Sequence, residues 1–127
     1  MPAIRDTVQR RAISEVIDHS DRPLTIEEIL RQARKSKPSL GIATVYRTIN
    51  TLVADHVIVP IQVPDQPVRY ERANIPHHHH FHCNTCGKVF DVQACPEGLR
   101  RMLPTGFELE SHEVVLYGRC RNCCASG

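Results

Sequence analysis

The sequence predicts an α+β fold made of two unlike halves, and three observations support this prediction. Apolar residues recur at helical spacing as far as about residue 55. Beyond that point, short β-branched segments bounded by turn residues take over, as expected for strands. Two Cys-x2-Cys pairs occur, and both lie in the second half. We therefore expect two domains, at residues 1–72 and 77–127, joined by a hinge at 73–76.

The first two helices of the N-terminal half are predicted from an apolar stripe and a capping signal. Residues 6–20, DTVQRRAISEVIDHS, place their apolar side chains along one face of a helix. Thr25 is followed three residues later by Glu28, which is the signature of a capping box. A second helix is therefore expected to begin at Thr25.

A third helix and a hairpin complete this half. Residues 42–56, IATVYRTINTLVADH, are predicted to be helical, with Thr44, Arg47, Thr48 and Thr51 on the face away from the core. VIVPIQV (57–63) and VRYER (68–72) read as two strands around a PDQP turn. Three helices followed by a hairpin are the order of a winged helix-turn-helix, although many small α+β domains share this order. In a winged helix-turn-helix the third helix enters the major groove of DNA and the wing follows the backbone.

The second half is predicted to be a small α/β unit with a thin core. Strands are expected around residues 80–83 and 88–92, a short helix near 97–103, and a long strand within 106–120. So few residues bury little apolar surface, so a bound metal, a partner subunit or both would be needed for stability.

Composition and charge exclude several classes of protein. Apolar runs are too short to span a membrane, and the N-terminus MPAIRDTVQRRA lacks the apolar stretch of a secretion signal. We therefore expect a cytoplasmic protein with no membrane partner. Residues 1–72 carry 11 Lys/Arg against 9 Asp/Glu, with most of the basic residues near the N-terminus. A polyanionic partner and an ordinary solvated helix surface both explain this modest excess.

The two cysteine pairs predict a structural zinc site. Six cysteines without a secretion signal indicate a reducing compartment, where Cys-x2-Cys pairs are metal ligands more often than disulfides. Four thiolates complete a closed tetrahedral site, from Cys83, Cys86, Cys120 and Cys123. Cys124 could replace Cys123 in this set. Cys95 has no partner in the sequence, so it is interpreted as a small core residue or a free thiol.

The histidine run at 77–80 has two interpretations. Successive residues of a strand point to opposite faces, so His78 and His80 could serve one site while His77 and His79 serve another. Further ligands would then come from Glu71, Asp91, Glu97 and His112. Mixed nitrogen and oxygen ligands suit Fe(II), Mn(II) or Zn(II). Alternatively, the run is a solvated tract that binds metal only loosely.

Three motifs together resemble those of one family. These are HHHHFHC-x2-CGKVFD, the upstream IATVYRTI, and the downstream GF-x4-H-x3-LYG-x-C-x2-C. They resemble the ferric uptake regulator superfamily, whose members are metal-dependent and usually dimeric transcriptional repressors. The resemblance covers about residues 5–124, with the motifs in the same order.

The resemblance implies three metal sites and a DNA-reading helix. Its structural zinc site falls on Cys83, Cys86, Cys120 and Cys123. Its regulatory site, which takes a second divalent metal across the hinge, falls on Glu71, His78, His80 and Asp91. Its additional site in the dimerisation domain falls on His77, His79, Glu97 and His112, with Glu97 matched to within one residue. Tyr46 and Arg47 match residues that approach DNA.

The implied function is that of a metal-responsive repressor acting as a homodimer on double-stranded DNA. Tyr46 and Thr44 could contact thymine methyl groups, and Arg47 could bind phosphate or guanine. Arg69 on the wing could approach the backbone or the narrow minor groove of an A·T-rich palindromic operator. No catalytic residues are predicted.

Two departures from the family pattern bear on the sensed metal. Pro23 stands where iron- and peroxide-sensing members carry a regulatory histidine, and His19 is the candidate replacement. Ala73, Asn74 and Ile75 stand where zinc-sensing members usually carry a cysteine. Iron or manganese is slightly favoured, and a zinc-uptake regulator is the alternative. A metal-storage protein and a zinc-dependent hydrolase are more distant alternatives. The storage protein would not explain the capped helices, and the hydrolase would need HExxH or a similar motif.

Overall fold

The computed structural model describes residues 4–125, and these divide into two compact units on either side of the Ile75–Pro76 junction. The first unit contains helices α1 (Ile4–His19), α2 (Ile26–Ala33) and α3 (Ile42–Ala54). Its strands are β1 (Leu24–Thr25), β2 (Ile58–Ile61) and β3 (Arg69–Arg72), arranged in the antiparallel order β1-β3-β2.

The three helices and the β2–β3 hairpin agree with the elements predicted from the sequence. The short strand β1 was not predicted, because two residues are too few to show a period. It exists because Leu24 and Thr25 pair with Tyr70 and Arg69 of β3. The order of helices, sheet and hairpin confirms the predicted α+β class.

Among the residues that the structure describes, one apolar cluster holds the first unit together. Each of the three helices contributes fully buried side chains, and the sheet covers them with Leu24 and Ile58. The members with the least exposure are Ile13, Leu24, Ile29, Ala33, Leu40, Val45 and Ile49. The helical spacing of these residues turns one face of α3 inward and leaves Tyr46 and Arg47 outside.

The predicted capping box is present at the start of α2. The Glu28 amide donates to the Thr25 hydroxyl at 3.1 Å, and the Thr25 amide donates to the Glu28 carboxylate at 3.0 Å. Arg22 adds an ion pair with Glu28 at 2.7 Å. Local side chains therefore satisfy two helix-terminal amides that have no partner within the helix.

The second unit is a three-stranded sheet with short helical segments at its margin. Its strands are β4 (His79–Cys83), β5 (Val89–Val92) and β6 (Val115–Gly118), in the order β5-β4-β6. β4 is antiparallel to β5 and parallel to β6. A 3₁₀ helix covers Leu99–Met102, and α4 covers Arg121–Ala125.

Three predictions for this unit need correction. The expected long strand within 106–120 is limited to β6, because β6 pairs only with the four β4 residues that face it. The expected short helix is a single 3₁₀ segment that begins after Gly98, whose φ of +79° is left-handed. The helix α4 was not predicted, because its five residues are too few to show helical periodicity.

The core of the second unit is thin, as predicted. Its buried side chains within the described range are only Cys83, Val89, His79 and His82. In contrast, large apolar side chains are exposed at Met102, Phe107, Leu116 and Tyr117. Among the described residues, no helix combines the length and apolar character needed to cross a bilayer.

Candidate metal centres

Four cysteine sulfurs converge at the end of β4. Cys83 ends the strand, and Cys86 follows on a turn that Gly87 completes with a φ of +76°. Cys120 and Cys123 come from the segment after β6 and from α4. The Sγ atoms of Cys83 and Cys123 are 3.7 Å apart, those of Cys86 and Cys120 are 3.9 Å apart, and all four lie within 4.8 Å of one another.

Two backbone amides stabilise a thiolate at Cys83. The amides of Cys86 and Cys120 donate to its Sγ at 3.4 and 3.3 Å. The Cys86 amide is the main reason that the pKa of Cys83 falls to about 5, and the Cys120 amide adds to it despite the opposing effect of burial. The Cys120 thiol beside Cys123, together with burial and the Cys83 thiol, raises the pKa of Cys123 to about 12.

The close spacing of the four sulfurs determines what the site requires. Four negative charges cannot coexist at this spacing without a cation, so in its absence some of the thiols stay protonated. A divalent cation at the centre would allow all four to ionise, and four thiolates in this arrangement suit zinc. Cys124 is exposed, and its Sγ lies 3.5 Å from the Arg119 carbonyl oxygen. The structure thus brings Cys123 to the cluster and leaves Cys124 outside it.

A second cluster joins β4 to β5. The strand register places His80 opposite Asp91, so both side chains lie on one face of the sheet. The Nε2 atoms of His78 and His80 each lie 3.4 Å from Oδ1 of Asp91. Nδ1 of His78 donates to the Pro76 carbonyl oxygen at 2.9 Å. In a neutral His78 the lone pair is therefore on Nε2, as in a histidine that binds a metal through this atom.

A third cluster lies on the opposite face and contains a residue that was not predicted. Nε2 of His77 is 3.2 Å from Nε2 of both His79 and His112. The Cys95 thiol completes the group, with Sγ 3.1 Å from Nε2 of His112 and 3.4 Å from Nε2 of His79. Burial and the neighbouring rings of His77 and His112 lower the pKa of His79.

Two predicted ligands, Glu97 and His19, lie outside the clusters of residues 4–125, and a further predicted ligand, Glu71, belongs to the first unit. Glu97 is exposed and is not part of the third cluster, where Cys95 stands instead. Cys95 is also exposed, so its interpretation as a core residue was wrong. His19 is exposed at the end of α1, with Nδ1 2.8 Å from the Glu15 carbonyl oxygen, and belongs to none of the clusters in residues 4–125. Glu71 is buried on β3 in the first unit.

The predicted DNA-contacting residues differ in exposure. Tyr46 is 50% exposed on α3, and Arg47 beside it donates from Nη2 to the Thr44 hydroxyl at 3.2 Å. Arg69 is only 5% exposed on β3, where burial lowers its pKa against the opposing effect of Glu28. This placement disagrees with the prediction that Arg69 contacts DNA, because inward strand positions alternate with outward ones and position 69 faces inward.

Comparison with known proteins shows which family the chain belongs to. The sequence model of the ferric uptake regulator family matches residues 2–117. The chain belongs to the ferric uptake regulator family. The resemblance seen in the sequence motifs is therefore confirmed, and the protein is a member of a family of metal-responsive regulators.

Individual relatives cover most of the chain. The ferric uptake regulation protein of Campylobacter jejuni is 34% identical over 125 residues, a match covering 94% of this chain and 80% of the relative. The ferric uptake regulator Fur of Helicobacter pylori, described as having three functional metal binding sites, is 30% identical. It has a TM-score of 0.72 and covers 91% of this chain and 79% of that one. A zinc-bound manganese uptake regulator is also 30% identical, with a TM-score of 0.79 and coverage of 88% and 87%. The two solved structures, one named for iron and one for manganese uptake, thus have the same sequence identity to this chain.

Proposed function

We propose that this protein is a metal-dependent transcriptional repressor that binds double-stranded DNA as a homodimer in the cytoplasm. The main support for this proposal is that the second unit contains two separate groups of possible metal ligands. One set is made only of thiols, and the other combines imidazole and carboxylate groups. Ions bound by such different ligands differ in affinity and exchange, so one can be structural while the other reports metal supply.

The four-thiolate cluster is proposed to hold a structural zinc ion. Cys83, Cys86, Cys120 and Cys123 offer four ligands and therefore leave no position for substrate. They join the end of β4 to α4, in a unit whose apolar core is small. Zinc binding would supply the stability that this core lacks.

The second cluster is proposed to hold the regulatory ion. His78, His80 and Asp91 supply two nitrogens and one carboxylate, which suits Fe(II), Mn(II) or Zn(II). The family resemblance assigns Glu71 to the same ion. Iron or manganese is slightly favoured because the cysteine that zinc sensors usually carry is missing from positions 73–75. A zinc-uptake regulator is the alternative.

The regulatory ion would act by restricting the two units. Glu71 precedes the junction at residue 76, while its proposed partners follow it. An ion bound by all of them would favour one arrangement of the units over others. The ion shifts this equilibrium only through its greater affinity for that arrangement, and a coupling of ~1–3 kcal/mol suffices for a switch.

DNA binding is proposed to use the outward face of α3. Tyr46, Arg47 and Thr44 are exposed or partly exposed there, whereas Arg69 is buried and is left out of the proposed interface. Two copies of the helix in a two-fold dimer match a palindromic operator, and the apolar contacts available to Tyr46 and Thr44 suit A·T-rich half-sites.

The test is DNA binding by the zinc-loaded protein against added Fe(II), Mn(II) or Zn(II) under anaerobic conditions. Operators are first selected from random duplexes in the presence of each metal. At least one of these ions should raise affinity by about 5- to 150-fold, which corresponds to the coupling given above. Equal affinity with and without every ion would contradict the proposal.

Two variants make this test specific. His80→Ala should remove the metal response while the zinc content stays at one ion per chain or more, because the four cysteines are intact. His19→Ala is the matched control, since His19 is an exposed histidine outside the clusters. If His19→Ala instead removes the response, His19 is the replacement ligand that Pro23 made necessary.

A further inference from the structure

The third cluster differs from the other two because it combines three imidazoles with one thiol. The family resemblance already implies a metal site at His77, His79 and His112. We propose that its fourth ligand in this chain is Cys95 rather than Glu97, and that the Cys95 thiolate makes this cluster a second zinc site that discriminates against Mn(II) and Fe(II). The ligand assignment concerns the second unit alone and stands whether or not the protein regulates transcription.

The spacing of the donor atoms fits a tetrahedral ion. With ordinary zinc–ligand bond lengths, tetrahedral geometry puts nitrogens about 3.3 Å apart and nitrogen about 3.6 Å from sulfur. The His77 nitrogen lies 3.2 Å from each of the other two nitrogens. The Cys95 sulfur lies 3.1, 3.4 and 3.9 Å from Nε2 of His112, His79 and His77. All four atoms lie within 4.8 Å of one another.

Hydrogen bonding alone does not explain this convergence. Nε2 of His77 lies within contact distance of His79, His112 and Cys95. A ring nitrogen of a neutral imidazole carries either one proton or one lone pair, so it forms one good hydrogen bond in the ring plane. Three partners for one nitrogen therefore leave two contacts without a hydrogen bond. A central cation satisfies all four donor atoms together.

The thiol sets the preference among metals. A thiolate is a soft ligand that favours zinc, whereas carboxylate ligands suit Mn(II). Besides its histidines, the second cluster has the carboxylate of Asp91, whereas the third has the sulfur of Cys95. Because of its thiolate, the third cluster should keep zinc in the presence of Mn(II) or Fe(II), whichever ion the second cluster binds.

A proton must move when this site binds an ion. The Val114 amide donates to Nδ1 of His79 at 3.2 Å, which leaves the proton of a neutral His79 on Nε2. An ion at Nε2 displaces that proton, and the neutral bound ring then carries its proton on Nδ1. The Val114 amide consequently loses its acceptor. This change provides a signal at a residue that is not itself a ligand.

The experiment uses cobalt(II) as a spectroscopic substitute for zinc in the full-length protein. The four-thiolate site is first filled with one equivalent of zinc, and one equivalent of cobalt is then added anaerobically. Wild-type protein should show a thiolate-to-cobalt charge-transfer band in the near ultraviolet. Cys95→Ser should lose this band, while Cys124→Ser should keep it because that exposed thiol lies outside the clusters. Zinc analysis at the end confirms that the first site was not exchanged.

Further measurements separate the alternatives. Cys95→Ser should lower zinc affinity at the second zinc site by at least about 100-fold, since even outer partners of metal ligands account for 10- to 100-fold. Excess Mn(II) should not displace the cobalt. The Val114 amide resonance should shift on zinc addition in wild type but not in Cys95→Ser.

The opposite results would overturn the proposal. A band of equal strength in Cys95→Ser would show that its sulfur is not a ligand. Loss of the second ion in Glu97→Gln together with its retention in Cys95→Ser would assign the fourth ligand to Glu97. Displacement of cobalt by Mn(II) would remove the proposed selectivity.

Discussion

Adjacent histidines of one run take part in different clusters. His78 and His80 lie with Asp91, whereas His77 and His79 lie with His112. The alternation of side chains along the chain into β4 separates them. Asp91 comes from β5, whereas His112 lies in the segment before β6. Their protons differ as well, because His78 donates from Nδ1 to a carbonyl and His79 accepts at Nδ1 from an amide.

Loss of one proposed zinc ligand should destabilise the second unit. Zinc binding in small domains contributes about 10 kcal/mol or more at neutral pH, which is comparable with the whole stability of an ordinary domain. Cys83→Ser should therefore lose one zinc per chain and the cooperative thermal unfolding of this unit. Cys124→Ser is the control and should retain both. A Cys83→Ser protein with full zinc content would refute the assignment.

The fourth residue of the third cluster lies in a loop, and the sequence did not predict it. The family spacing pointed to Glu97, and the chain instead presents Cys95 to the histidines. Both residues lie between β5 and the 3₁₀ helix, where no period constrains side-chain direction. The sequence did offer one indication that Cys95 is a ligand, because it lies close to a histidine-rich strand. This indication was overlooked because Cys95 is not part of a Cys-x2-Cys pair.

The start of α2 is stabilised by its capping box, whereas α3 begins without a side-chain cap. Removing the Thr25 hydroxyl leaves the Glu28 amide without its partner at 3.1 Å. Thr25→Ala should therefore lower the free energy of unfolding of the first unit by about 1 kcal/mol. Urea denaturation should show a lower midpoint with an unchanged slope. Thr51→Ala, within α3, is the control and should be neutral or slightly stabilising, because alanine has the higher helix propensity.

The same capping box makes stability depend on pH. Burial alone would raise the pKa of Glu28, but the Thr25 amide and the Arg22 guanidinium outweigh it, and the net pKa lies below the usual 4.5. Because the folded-state pKa is lower than the unfolded one, Glu28 stabilises the fold above the unfolded pKa. This contribution is lost as pH falls through the folded pKa.

Denaturation of a variant between neutral and acid pH checks this contribution. Glu28→Gln should be less stable than wild type at neutral pH, and the difference should shrink as the solution becomes acidic. Glu27→Gln changes an exposed neighbour in the same turn and serves as the control. A difference for Glu28→Gln that stays constant with pH would contradict the expectation.

Helix α3 should carry the largest effects on DNA affinity. Arg47→Ala should weaken binding by about 1–3 kcal/mol and relax one base preference if Arg47 binds guanine. If it binds phosphate, affinity for all DNA sequences should fall alike, and the slope of log affinity against log salt concentration should decrease in magnitude by about one. Filter binding or anisotropy at several salt concentrations distinguishes the two outcomes. Arg31→Ala, on the exposed face of α2, is the control. No loss of affinity for Arg47→Ala would remove α3 from the interface.

At the scale of the whole molecule, the exposed apolar residues of the second unit indicate an interface with another chain. β6 lies at one edge of its sheet, and its Leu116 and Tyr117 are 49% and 52% exposed. Edge strands with apolar side chains readily pair with another chain. We expect the β6 edge to form the homodimer interface.

A charge at this edge should therefore produce monomers. Leu116→Glu should halve the mass measured by light scattering, because a buried unpaired carboxylate strongly opposes association. Zinc content should stay unchanged, since none of the four cysteines is altered. The same substitution at Val59, an exposed residue of β2, is the control and should leave the mass unchanged. A dimeric Leu116→Glu protein would place the interface elsewhere.

The sequence by itself determined the division into two units, the three helices and hairpin, the capped start of α2, and the residue types of the metal sites. Period, capping and ligand spacing are local properties, so they can be read without knowing which distant residues meet. The tertiary structure alone decided which residues of uncertain role complete the clusters. It chose Cys123 over Cys124, brought Cys95 rather than Glu97 to the histidines, and buried Arg69. These outcomes depend on strand register and loop path, which bring together residues far apart in the chain and which no local pattern specifies.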